Sequence, residues 1–147
     1  MITEIILRYV HFISIFGIVG SLVAEHLLLK KEMTPSEISR LSRIDAVYGM
    51  AALTLLGVGL TLWLSGVSKP SIYYTQNWIF ILKISLFTTI GLLSIYPTIF
   101  FLKNRGSKEE KIKIPSSIFW MLRFELLILF IIPLLAGLMA RGVGFIN

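Results

Sequence analysis

Cysteine is absent from this chain, which excludes disulfides, thiolate zinc and iron–sulfur sites, covalent c-type haem attachment and cysteine nucleophiles. Charge is scarce too: Asp, Glu, Lys and Arg supply 15% of the residues against 56% hydrophobic, and mean hydropathy is +0.84. So little charge cannot cover a water-exposed surface, and the composition is that of an integral membrane protein. Histidine occurs twice, at His11 and His26. With thiolate excluded, imidazole and carboxylate are the remaining strong metal ligands.

What is present is apolar sequence in four long stretches. Helices are predicted at about residues 4 to 29, 44 to 65, 77 to 102 and 115 to 140. A span needs roughly 20 residues, so four of them consume most of the 147 and leave no soluble domain. The expectation is all-α: an integral membrane four-helix bundle forming a single membrane domain over residues 1 to 147. The first stretch is too long for a signal-peptide core and has no small-x-small pattern before Lys30, so it reads as a retained first span.

Orientation follows from loop charge, because Lys and Arg are held on the cytoplasmic side during insertion. The first connection carries Lys30, Lys31, Arg40 and Arg43, and the third carries Lys103, Arg105, Lys108, Lys111 and Lys113, whereas the middle one has Lys69 alone. Both termini are therefore expected on the outer side. The same distribution accounts for the net charge of +6 through anionic headgroups, with no nucleic acid as a partner. Trp63, Tyr73, Tyr74 and Trp78 cluster where the second and third spans meet the outer interface.

Small residues recur at helical spacing, Gly17 with Ser21 and Gly20 with Ala24, and Gly57 and Gly59 follow on the second span; tight helix packing is their expected role. Pro97 and Pro133 fall inside the third and fourth helices, where each strips a backbone donor from the carbonyl four residues earlier.

The polar groups inside the spans sort into two layers. The outer layer holds Arg8, His11, Lys83 and Arg141. The cytoplasmic-side layer holds Glu25, His26, Arg43, Asp45, Tyr48, Tyr96, Arg123 and Glu125. A lone charge at mid-span costs about 2.5–3.5 kcal/mol on insertion scales, so these groups should face inward and be partnered, as a structural ion-pair lock or as a proton relay. Arg123 and Glu125 lie two positions apart, about 200° around a helix, and need different partners.

The two histidines are 15 positions apart, about 22 Å along a helix axis, so they cannot share one metal ion. His26 suits a hydrogen-bonded place at the interface. His11 lies deeper, and a neutral imidazole with an open nitrogen suits haem iron, although a merely hydrogen-bonded histidine is the competing reading. Arg8, Lys83 and Arg141 would then be placed to pair with haem propionates.

The run Gly20-Ser21-Leu22-Val23-Ala24-Glu25-His26, the runs Arg43 to Gly49 and Ser94 to Thr98, and the ending Pro133 to Gly142 together resemble an uncharacterised family of small bacterial membrane proteins, a domain of unknown function. More distantly, the four-helix layout is similar to the bacterial membrane protoporphyrinogen IX oxidases and the copper-resistance D-type membrane domains. That likeness implies haem b on His11, an essential role for Lys83, and an echo of a fourth-helix Arg and Glu pair in Arg123 and Glu125, although the oxidase Asn-Glu-x-Pro pattern is absent here. It also implies a multi-pass protein of the bacterial inner membrane.

Three functions are therefore expected to compete. The first is a haem b protein passing electrons between a porphyrinogen or quinol and an acceptor, with quinone or porphyrin as partner. A six-coordinate iron would take its second axial ligand from Lys83, a methionine, water or a histidine of a second copy in a homo-oligomer, and five-coordination is equally open. The second is a proton or small-solute transporter using the two polar layers. The third is a non-catalytic membrane subunit whose charges serve packing.

Overall fold

The computed structural model describes residues 1–66 and 69–145; residues 67, 68, 146 and 147 of the expected single domain lie outside the described residues. Four helices are long and apolar enough to cross a membrane: α1 (Ile2–Leu28), α2 (Pro35–Leu64), α4 (Trp78–Asn104) and α5 (Ser116–Ala140). Between α2 and α4 lies the short α3 (Ser71–Thr75). The chain is an all-α, multi-pass membrane bundle, and its exposed surface carries apolar side chains such as Phe16, Leu53, Leu92 and Phe130, as contact with lipid requires.

The second helix begins at Pro35 rather than near residue 44. The sequence shows why: Thr34 caps it, its hydroxyl accepting from the Glu37 N–H at 3.2 Å while the Glu37 carboxylate accepts from the Thr34 N–H at 3.1 Å, and Pro35 supplies a first-turn residue whose missing donor costs nothing. Lys30 adds an ion pair to Glu37 at 2.6 Å. Thirty residues at 1.5 Å each exceed a hydrocarbon core of roughly 30 Å, so the polar first turns of α2 project beyond it.

At this basic end, the segments joining α1 to α2 and α4 to α5 meet in a two-residue antiparallel ribbon, β1 (Glu32–Met33) with β2 (Ile112–Lys113), extended by the Ile114 N–H donating to the Lys31 carbonyl at 2.8 Å. The ribbon seats Met33, Ile112 and Ile114 against Ile38, Leu41, Phe101 and Ile118, forming an apolar plug across the mouth of the bundle. This is where the buried core is densest, because water is near enough for burial of apolar surface to be rewarded.

The helices pack as two hairpins, α1 with α2 and α4 with α5. In the first, a Cβ on Gly17 would come within 3.1 Å of the Ala51 Cβ, so the backbones touch there; Gly20, Gly57 and Gly59 meet nothing within 4 Å and are not packing positions. Both Pro97 and Pro133 sit inside helices that continue through them.

The opposite end, where α1 begins and α5 finishes, is closed by the segment 141–145. Asn77 caps α4, accepting from the Ile79 N–H at 2.9 Å and the Phe80 N–H at 3.4 Å while its amide donates to the Val143 carbonyl at 3.1 Å; the Trp78 N–H donates to the Gly144 carbonyl at 3.0 Å. Gly144 has φ +98°, and a Cβ there would lie 2.7 Å from the Asn77 side-chain oxygen and from Ile79. Around this knot Trp63, Tyr74 and Phe80 stack, and Tyr73 packs on Phe145. Gly144→Ala and Asn77→Ala should each destabilise the protein by about 1–2 kcal/mol, read as thermal unfolding in detergent, while Gly20→Ala, at an open position inside α1, should cost nothing and raise the midpoint slightly.

Candidate functional site

Each of three helices carries an isoleucine, a leucine and then an acid at helical spacing: Ile18, Leu22 and Glu25 on α1; Ile38, Leu41 and Asp45 on α2; Ile118, Leu122 and Glu125 on α5. Residues three and four apart share a face, so the apolar pairs that pull each stripe into the core carry the acid in with them. All nine are buried. Glu25 and Glu125 are 1% exposed, Asp45 5%, and Tyr48, one turn beyond Asp45, 3%.

The three carboxyls converge. Glu25 faces both Asp45 and Glu125, and the Tyr48 phenol faces all three. Across the seam between the hairpins, the Thr98 hydroxyl of α4 donates to Asp45 Oδ2 at 2.6 Å. One oxygen each of Glu25 and Glu125 is buried with no hydrogen-bond partner, and the Tyr48 hydroxyl lies buried beside Ser94 of α4. The ion pairs among the described residues, Arg8–Glu4 and Lys30–Glu37, both lie elsewhere. Three carboxyls from three helices thus share one buried place with no paired cation among the described residues. Among the described residues no set of His, Asp and Glu is arranged to hold a metal ion.

Of the layer expected from sequence, Glu25, Asp45, Tyr48 and Glu125 form this centre and the others stand apart. Arg43 is exposed, and Tyr96 is 42% exposed on the outside of α4. Arg123 faces away from Glu125, as the two-residue offset requires, and its guanidinium lies 5.3 Å over the Trp120 ring. No ion-pair lock joins Arg123 to Asp45 or Glu125 among the described residues. His26, next to Glu25 in sequence, is half-buried with Nδ1 unpartnered. Thr98 ends the run Ser94 to Thr98, and nothing in its spacing identifies it as the donor to Asp45.

The second layer is only partly assembled. His11 and Lys83, on α1 and α4, come within electrostatic reach of one another, and His11 Nδ1 is buried without a partner. Arg8 pairs with Glu4 at 2.9 Å one turn away. Arg141 follows the end of α5 as its exposed C-cap.

Thr98→Val removes the donor that crosses the seam and leaves Asp45 Oδ2 without it, which should cost about 1–3 kcal/mol in thermal unfolding. Thr89→Val, which loses only a bond to its own helix at Ser85, should cost far less.

No curated protein and no solved structure matches the chain. A family model does, over residues 3–144, and it spans all four helices and every residue of the carboxyl centre. The chain belongs to the family described as Predicted membrane protein (DUF2214).

Proposed function

We propose that this protein moves protons across the membrane, using Glu25, Asp45 and Glu125 as the exchanging groups of a proton transporter. One observation carries the reading: three buried carboxyls from three helices converge with no paired cation among the described residues. Intramembrane acids are costly to hold, and proton relays are among the functions that retain them. Their position suits the task. The plug of Met33, Ile38 and Ile118 seals the centre from the basic end, and Asp45 with its Thr98 donor lies on the seam where the hairpins meet, so a small relative shift of the hairpins changes which side the carboxyls address. Tyr48 offers a hydroxyl that can both donate and accept between them. By the positive-inside bias the basic end faces the cytoplasm, with both termini outward, in a bacterial inner membrane.

In proteoliposomes with an imposed pH gradient and an internal pH dye, wild-type protein should carry protons, and Glu125→Gln, nearly isosteric, should reduce the rate to that of empty liposomes. Tyr96→Phe, on the lipid side, should leave the rate intact. Equal rates for wild type and Glu125→Gln would refute the reading.

A second reading, haem b held by His11 for electron transfer with a quinol or porphyrinogen, is favoured by the unpartnered His11 Nδ1 and by Lys83 beside it. Those two residues fit an axial ligand and a neighbouring cation; Arg8, already paired with Glu4, is less suited to a propionate. Bound haem would supply one-electron chemistry, and His11 would hold it. A reduced-minus-oxidised spectrum of the detergent-purified protein should then show a b-type signal that His11→Ala removes and His26→Ala leaves. No such signal in wild type would end this reading.

A further inference from the structure

The basic end carries a cavity of about 830 Å³ on the outer surface of the bundle, separate from the carboxyl centre. Three cations from different parts of the chain line it: Lys31 from the segment after α1, Lys113 from β2, and Arg123 from the first half of α5. The β1–β2 ribbon brings them together, through the bond from Ile114 N–H to the Lys31 carbonyl and the register that sets Lys113 against Glu32. Glu32 is the single carboxylate in the lining, and none of the three cations forms an ion pair among the described residues.

The place of Arg123 makes the cavity specific. It stands about 10 Å along α5 from the helix start, on a face exposed to lipid, where a permanent charge has to reach the headgroup region or take an anion with it. Its guanidinium lies over Trp120, which also lines the cavity, so the cation is held at interface depth. An anion with one end in the headgroup layer and an apolar remainder beside α5 satisfies every one of these features. A soluble anion satisfies only the charge.

We propose that this cavity binds the phosphate headgroup of an anionic phospholipid, with Arg123 and Lys113 on the phosphate, Lys31 at the rim and Trp120 against the glycerol and upper acyl chain. Basic pockets between spans on the cytoplasmic side take such headgroups by charge complementarity. The site is independent of the proton chemistry, since Arg123 and Glu125 face opposite ways on α5.

The test is native mass spectrometry of the detergent-purified full chain with added phosphatidylglycerol or phosphatidylcholine. It compares wild type, the triple variant K31Q/K113Q/R123Q, the single Lys113→Gln and a charge-matched control, K103Q/K108Q/K111Q, whose lysines are exposed outside the cavity. Wild type and control should retain phosphatidylglycerol in preference to phosphatidylcholine. The triple variant should lose at least about tenfold of that retention and Lys113→Gln a smaller part. Three results would overturn the proposal: equal retention of the two lipids by wild type, equal loss in the control, or displacement of phosphatidylglycerol by inorganic phosphate, which would assign the cavity to a soluble anion.

Discussion

Hydrocarbon offers no hydrogen bond and little screening, so every polar group carried into a span has to be neutral, paired within the protein, or led back to water. That constraint organises this bundle. Glu25, Asp45 and Glu125 enter on stripes whose other members are isoleucine and leucine, and they meet where the two hairpins touch. No cation is paired with them among the described residues, and the Thr98 hydroxyl donates to Asp45 across the seam. The surroundings of all three carboxyls therefore depend on how the hairpins sit against each other.

The two ends are closed by different means because they face different physics. At the basic end, short loops form a ribbon that folds Met33, Ile112 and Ile114 onto the helix ends, and burial of apolar side chains near water stabilises the plug. At the other end, hydrogen bonds dominate: Asn77 satisfies the orphan donors of α4 and grips the tail at Val143, and Gly144 permits the close pass with a φ that other residues avoid. Between the ends, lipid is as apolar as leucine, so close backbone approach at Gly17 and Ala51, rather than hydrophobic burial, holds α1 to α2.

Much of this was legible beforehand. Four spans follow from hydropathy, and the grouping of polar residues by depth follows from the helical rise. The start of α2 was misplaced because Arg40, Arg43 and Ser42 read as a polar loop, although Thr34, Pro35 and Glu37 spell a helix start three residues after Lys31. Tyr96, Arg43 and Arg123 share a depth with the carboxyls but not a direction, and the assignment by depth could not tell them apart. The three-and-four spacing of Ile118, Leu122 and Glu125 against the outward offset of Arg123 did hold that information.

By itself, then, the sequence determined the class, the number of spans, the depth of each ionisable group and the asymmetry of basic charge, because each depends on hydropathy and rise along a single helix. Tertiary structure alone decided which of those groups meet. The pairing of Asp45 with Thr98, the facing of Glu25 and Glu125, the approach of Lys83 to His11 and the gathering of Lys31, Lys113 and Arg123 all depend on how the helices are arranged about one another. That arrangement is set by packing between segments distant in sequence, which no local pattern encodes.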